Sequence, residues 1–145
     1  MRLQAAKPAA ARPAAAREKA GLYERLGGLY PIARMVDDFI DHLVVNETLN
    51  ANEAVLRARD PTTRPGLKYH VTAFVAEAVG GPQVYTGRTM KETHVRLNIS
   101  GREWRAMMAD LEAVLFRFNV PDAEQREIVA LVASLERDIV TRPGE

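Results

Sequence analysis

Two histidines, His70 and His94, sit on the apolar side of segments whose spacing predicts short amphipathic helices. A Gly80-Gly81-Pro82 break lies between them. An imidazole on an apolar face is poorly placed for general-base work in water but well placed to ligate a metal in a dry pocket. Each one, taken alone, also fits a satisfied core residue. The third histidine, His42, falls beside the stripe of its helix and reads as a boundary residue.

Zinc usually takes three or four protein ligands, and no third ligand is evident beside the pair. Haem iron needs only one or two axial ligands, because apolar contact holds the macrocycle itself. Phe39, Ile40, Leu67, Phe74, Met90, Leu97 and Trp104 are available for that contact. Tyr85, Arg88 and Lys91 lie near His94 in sequence and suit the propionate carboxylates of such a ring. Ordinary solubility and helix capping explain these three equally well.

Other chemistries find little support. The chain has no cysteine, which excludes disulfides, zinc-thiolate sites, iron–sulfur clusters and haem attached through Cys-x-x-Cys-His. Ser100 and Ser134 are the only serines, both with simple helical explanations, and neither sits on a strand–turn–helix elbow. The glycines at 80–81 lack the Lys-Ser/Thr of a phosphate loop. Asp37, Asp38 and Asp41 line one helix, but no second acidic cluster or His-x-x-Glu pair completes a di-iron site. They read as a solvated face.

The elements that must position the histidines read as all-α. The 145 residues are 47% apolar, enough for one globular domain with a real core. Formal net charge is +1, so no overall field argues for nucleic acid as a partner. No apolar run is long enough to span a bilayer. Residues 1–20 carry five basic side chains and one acid among alanines and prolines, and we expect a flexible basic tail there. A short helix near Gly21–Leu26 stops at Gly27-Gly28, and a longer one follows with Ile32, Val36, Phe39, Ile40 and Leu43 on one stripe. Residues 46–65 are polar and irregular, with a turn of helix expected around Ala51–Arg57. The next helix begins near Gly66 with the stripe Leu67, His70, Val71, Phe74, Val75 and Ala78, and ends at Gly80-Gly81-Pro82. Met90, His94 and Leu97 recur on a short helix after a loop. Ser100 with Glu103, and Asp122 with Gln125, carry the capping signature of the last two helices. The first of these buries Trp104 through Phe118, the second Ile128 through Ile139.

LYERLGG (22–28), DDF (37–39), LKYH (67–70), AVGGPQVYTGR (78–88), MKETH (90–94) and LNIS (97–100), in that order, resemble the truncated globins, group I in particular. The likeness covers roughly residues 21–140. It implies a globin-like two-on-two helical sandwich around one haem, with a domain over 21–141, the basic tail before it and a short tail over 142–145. It also implies His94 as the proximal ligand, a distal wall from the helix of Leu67–Val79, and a pocket roof from the helix of Ile32–Leu43. One non-covalent haem b per chain is the expected cofactor.

Three departures shape the expected function. Ile40 and Val71 stand where many group I members carry a tyrosine and a glutamine that donate hydrogen bonds to the bound ligand. Each missing donor removes about 1–3 kcal/mol. His70 falls where some members place a residue that ligates the iron directly. The phenylalanine that commonly packs on the haem after the second helix is missing from residues 46–55. The expectation is a six-coordinate resting haem, His94 proximal and His70 distal, with O2, CO and NO competing against an internal imidazole. Nitric oxide dioxygenation or nitrite reduction, supported by an external reductase, is the enzymatic alternative. A redox or sensor module that switches His70 on and off the iron is another. We expect a monomer or weak dimer in the cytoplasm, or the periplasm if residues 1–20 are an export remnant.

Overall fold

A computed structural model describes residues 21–145. Residues 1–20, expected as the basic tail, lie outside the described residues. Nine α-helical segments are formed among the described residues: α1 (Leu22–Arg25), α2 (Leu29–Val44), α3 (Glu47–Asn50), α4 (Glu53–Ala58), α5 (Arg64–Ala78), α6 (Met90–His94), α7 (Gly101–Arg117), α8 (Asp122–Ala133) and α9 (Glu136–Ile139). The four long ones form two pairs: α2 packs on α5, α7 packs on α8, and the pairs meet where α2 crosses α7. This is the two-on-two sandwich that the sequence resemblance implies.

The periodicity of α2 translates directly into burial. Ile32, Val36 and Ile40 are buried, joined by Met35, and they meet Leu111, Val114 and Leu115 of α7 and Ile128 of α8. Ile32 and Val114 are each only 1% exposed, and burial of an aliphatic side chain of that kind contributes about 1.5–3 kcal/mol. A second, smaller core gathers Ile99, Trp104 and Ile139, with Met90, Leu97 and Val55 against it. Met108 and Val132 touch both cores.

Helix ends follow local chemistry. Gly80, at φ +95°, closes α5: its N–H donates to the Glu77 carbonyl, and the Gly81 N–H to the Ala76 carbonyl at 2.7 Å. Gly27 ends α1 in the same way, with the Gly28 N–H reaching the Tyr23 carbonyl at 3.0 Å. Ser100 and Glu103 form the expected capping box. Asp122 does not cap α8. Pro121 occupies the N-cap, Asp122 is the first helical residue, and Gln125 donates instead to the Val120 carbonyl at 2.8 Å. A proline N-cap has no N–H to receive Glu124, the acid at the third position, so Glu124 turns to Arg25 at 3.2 Å.

The polar connection is more ordered than its composition predicts. Two helical turns, α3 and α4, and a 3₁₀ turn over Pro61–Thr63 replace the single turn expected near Ala51–Arg57. Asn46 and Asn52 cap α3 and α4 by accepting backbone N–H bonds. The Asn52 amide then donates to the Leu97 carbonyl at 2.9 Å and to Glu103 Oε1 at 2.8 Å. Helix α8 ends at Ala133, and Ile139 arrives on the separate turn α9. A two-residue strand, β1 (Ile99–Ser100), pairs in parallel with β2 (Val140–Arg142). Arg142 Nε donates to the Asn98 carbonyl at 3.0 Å, and the Arg102 N–H to the Glu145 carbonyl at 3.2 Å.

Candidate functional site

Helix α6 exists because Thr89 and Glu92 cap it reciprocally. The Thr-x-x-Glu spacing at 89–92, the same signature as Ser100–Glu103, is the local signal for it. The cap fixes where α6 starts, and hence where His94, its last residue, stands. His94 Nδ1 lies 2.8 Å from the Met90 carbonyl oxygen and 2.8 Å from Thr93 Oγ1. A carbonyl can only accept, so Nδ1 carries the proton and Nε2 keeps its lone pair. Burial pushes the His94 imidazole below the usual histidine range, and the bond to Met90 offsets part of that. The result is a neutral imidazole with one free ring nitrogen, the state a metal requires. Thr93, which the sequence reading does not single out, belongs to this arrangement because its hydroxyl lies against the same ring nitrogen.

Met90 and Leu97 are half-buried on the second core, and Trp104, 5% exposed, is sealed within it. The Met90 carbonyl bonds the His94 ring and the Leu97 N–H donates to the His94 carbonyl, so both residues tie that corner to the second core. Arg88 and Lys91 are exposed on either side of Met90. The Tyr85 hydroxyl donates to the Arg88 carbonyl at 2.6 Å, so its one proton is already engaged.

The residues of α5 behave differently from the expected stripe. Ala73 and Ala76 are the buried positions of the helix, with Val79 just beyond its end. Leu67 is 50% exposed, His70 is exposed, and Val71 and Phe74 are half-buried. The physical reason is size. The small alanines are covered, whereas Val71 and Val75 of the stripe pack on the core shared with α2 and remain half-buried. Phe39 is half-buried and Ile40 buried against the same core as Val71. The His70 ring stands edge-on to Tyr69 at 5.5 Å and to Tyr85 at 6.3 Å, and Tyr85 stands edge-on to Phe74 at 5.3 Å. His42 is a boundary residue as expected, its Nδ1 donating to the Asp38 carbonyl at 2.8 Å. The aspartates of α2 are not merely solvated: Lys68 bridges Asp37 and Asp41, and Arg117 reaches Asp38.

Helix α5 packs chiefly on α2, whereas α6 packs on α9. An apolar stripe is thus left partly uncovered on one helix, and a free imidazole nitrogen stands on another. Among the described residues, no group of three or more His, Cys, Asp or Glu gathers to hold a bare metal ion. One free Nε2 backed by apolar side chains is instead the donor set for a metal that arrives inside its own macrocycle. The residues present fit a haem.

A family model described as "Bacterial-like globin" matches residues 21–141. This chain is a bacterial-like globin. It is 29% identical over 124 residues to a group 1 truncated hemoglobin of Mycolicibacterium paratuberculosis, covering 86% of this chain and 87% of that one. A group 1 truncated hemoglobin of Synechocystis is 28% identical over 130 residues, covering 83% and 98%. Among solved structures, the truncated hemoglobin of Tetrahymena pyriformis in its Fe(III) form has a TM-score of 0.70 at 26% identity, over 83% of this chain and 98% of that one. The 2/2 hemoglobin of Synechococcus in the cyanomet state, with covalently attached haem, has a TM-score of 0.69 at 28% identity, over 85% and 100%. The globin is thus of the group I truncated kind, and membership implies haem-based binding of small ligands. No helix among its described residues is long and apolar enough to cross a membrane.

Proposed function

We propose that this globin holds one haem b non-covalently through His94 Nε2, and that His70 competes with O2, CO and NO for the opposite face of the iron. The observation that carries this reading is the 2.8 Å bond from His94 Nδ1 to the Met90 carbonyl, which leaves Nε2 free. When bound, the haem supplies an iron that takes small diatomic ligands and moves between ferrous and ferric states. The chain does the rest. Met90, Leu97 and Trp104 back the proximal imidazole, and Leu67, Val71 and Phe74 offer apolar contact from α5. Phe39 and Ile40 offer the same from α2. Arg88, just before α6, and Lys91, on it, are exposed and would meet the propionates. Tyr85 serves His70 and Phe74 with its ring rather than a propionate with its hydroxyl. With no cysteine in the sequence, a thioether link is excluded.

Ile40 and Val71 donate no hydrogen bond, so nothing at those positions retains O2. His70 is the polar group nearest this role. Its ring would exchange the edge-on contacts with Tyr69 and Tyr85 for the iron when it serves as a ligand, a reversible choice between two sets of partners. External ligands bind only the fraction in which the iron is open. Electrons for ferric-to-ferrous cycling come from an external reductase.

Absorption spectra of the ferric, ferrous and CO-bound protein test the reading. The expected result is a low-spin ferrous form that becomes five-coordinate in His70→Ala. A high-spin ferrous wild type overturns distal ligation by His70. A full-length, folded protein that takes up no haem overturns the whole reading.

A further inference from the structure

The N-terminal half of α5, from Pro65 to Ala73, lines a gap beside α2. A cleft of about 640 Å3 separates Ala33 and Asp37 of α2 from Pro65, Tyr69 and Thr72 of α5, with Val84 at its edge. Ala73 lines the inner end of the cleft, and further along the helix Val75 and Val79 pack on the core shared with α2. One polar link spans the gap. Lys68 Nζ donates to Asp37 Oδ1 and to Asp41 Oδ1, both at 2.7 Å. Those carboxylates are one helical turn apart on α2 and repel each other unless a cation sits between them. Lys68 is the better shielded partner, at 23% exposure against 62% and 55%. It lies two residues before His70 and one after Leu67.

We propose that Lys68 is a positioning residue: its bridge to Asp37 and Asp41 holds the first turns of α5 across the cleft and so sets where the His70 face of that helix stands. The second half of this statement rests on the haem reading above. The first half does not. A lysine fixed by two carboxylates resists displacement along α2 in both directions, since moving toward one lengthens the bond to the other. The link is exposed on its acidic side, so salt weakens it. The position of α5, and with it the ease with which His70 leaves the iron, becomes a function of ionic strength.

The test compares wild type with Lys68→Met, Lys68→Arg and the double variant Asp37→Asn/Asp41→Asn, all as the full chain. Amide hydrogen exchange is read on the haem-free protein, and the ferrous low-spin fraction and CO association rate on the haem-loaded protein. Lys68→Met and the double variant are expected to speed exchange over residues 64–72 on the order of fivefold, with α7 and α8 unchanged. The low-spin fraction and CO rate shift with it, Lys68→Arg restores both readouts, and 0.5 M salt moves wild type toward Lys68→Met, as expected for a screened link (roughly a 3–8 Å Debye length). Unchanged exchange in Lys68→Met overturns the tie. Faster exchange with an unchanged low-spin fraction and CO rate overturns the positioning of His70. A wild type that takes up no haem sinks the haem reading, a failure the exchange measurement cannot produce.

Discussion

His94 Nδ1 lies 2.8 Å from the carbonyl oxygen of Met90, one turn back along its own helix. The same bond orients the ring, fixes its tautomer and leaves the other nitrogen bare. His94→Ala is expected to lose haem while keeping its helical circular dichroism, with added imidazole restoring part of the visible spectrum. A wild-type spectrum in His94→Ala without imidazole rejects the proximal assignment.

The depressed His94 pKa has a signed consequence for the haem-free protein. Burial disfavours the charged ring, so below the unfolded value near 6.5 the unfolded chain binds more protons than the folded one. Stability is therefore unaffected by His94 above about pH 6.5 and falls as pH drops from there toward the lower folded value. Urea midpoints between pH 7.5 and 5.5 measure the slope. His94→Gln should flatten it, and an unaltered slope in that variant shows that other groups cause the acid sensitivity.

On the proposed reading, the edge-on contact between His70 and Tyr85 competes with ligation of the iron by His70. A contact of this type contributes about 0.5–1.5 kcal/mol. Tyr85→Leu is expected to raise the low-spin ferrous population by roughly two- to tenfold relative to the open form, whereas Tyr85→Phe keeps the ring and changes it little. Equal spectra for the Leu and Phe variants count against the competition.

Asn52 joins three elements: it caps α4, and its amide donates to the Leu97 carbonyl and to Glu103. Asn52→Ala removes the donor from a buried carboxylate and the cap from a helix, at a cost of about 2–4 kcal/mol. A lower urea midpoint at unchanged slope is the expected signature. A loss under about 0.5 kcal/mol, the range of ordinary surface changes, contradicts it.

Gly81 is close to the Tyr23 ring: a Cβ there would lie 2.5 Å from a ring carbon. Gly81→Ala should cost about 1–3 kcal/mol through overpacking, and less in a Tyr23→Leu background, where the ring is gone. Additive losses in the double variant show that the two residues do not collide.

Much of this was written in local sequence. The stripe Ile32–Val36–Ile40, the glycine closures after α1 and α5, and the Ser100–Glu103 box depend on neighbours within a few positions, and they appear where periodicity and capping chemistry place them. The placement of His94 with Met90 on one short helix was legible for the same reason, since the two are four residues apart. What was not legible depends on distant partners. The apolar stripe of α5 looked buried throughout, yet only part of it, Val71 and Val75, packs on the core, while Leu67 and His70 are exposed. Lys68 meets aspartates 27 and 31 positions away, and Asn52 meets Glu103 51 positions away. No window of local pattern contains such pairs. At α8 the signature misled by one residue, because Pro121 took the N-cap from Asp122.

The parallel pairing of Ile99–Ser100 with Val140–Arg142 means that the corner following His94 is completed by a segment more than 40 residues later in the chain. During synthesis, α6 emerges well before the strand that braces it. A nascent chain shorter than 142 residues therefore presents His94 on an unfinished scaffold, and on the haem reading proposed above, secure capture of the cofactor waits for the far end of the polypeptide to be made.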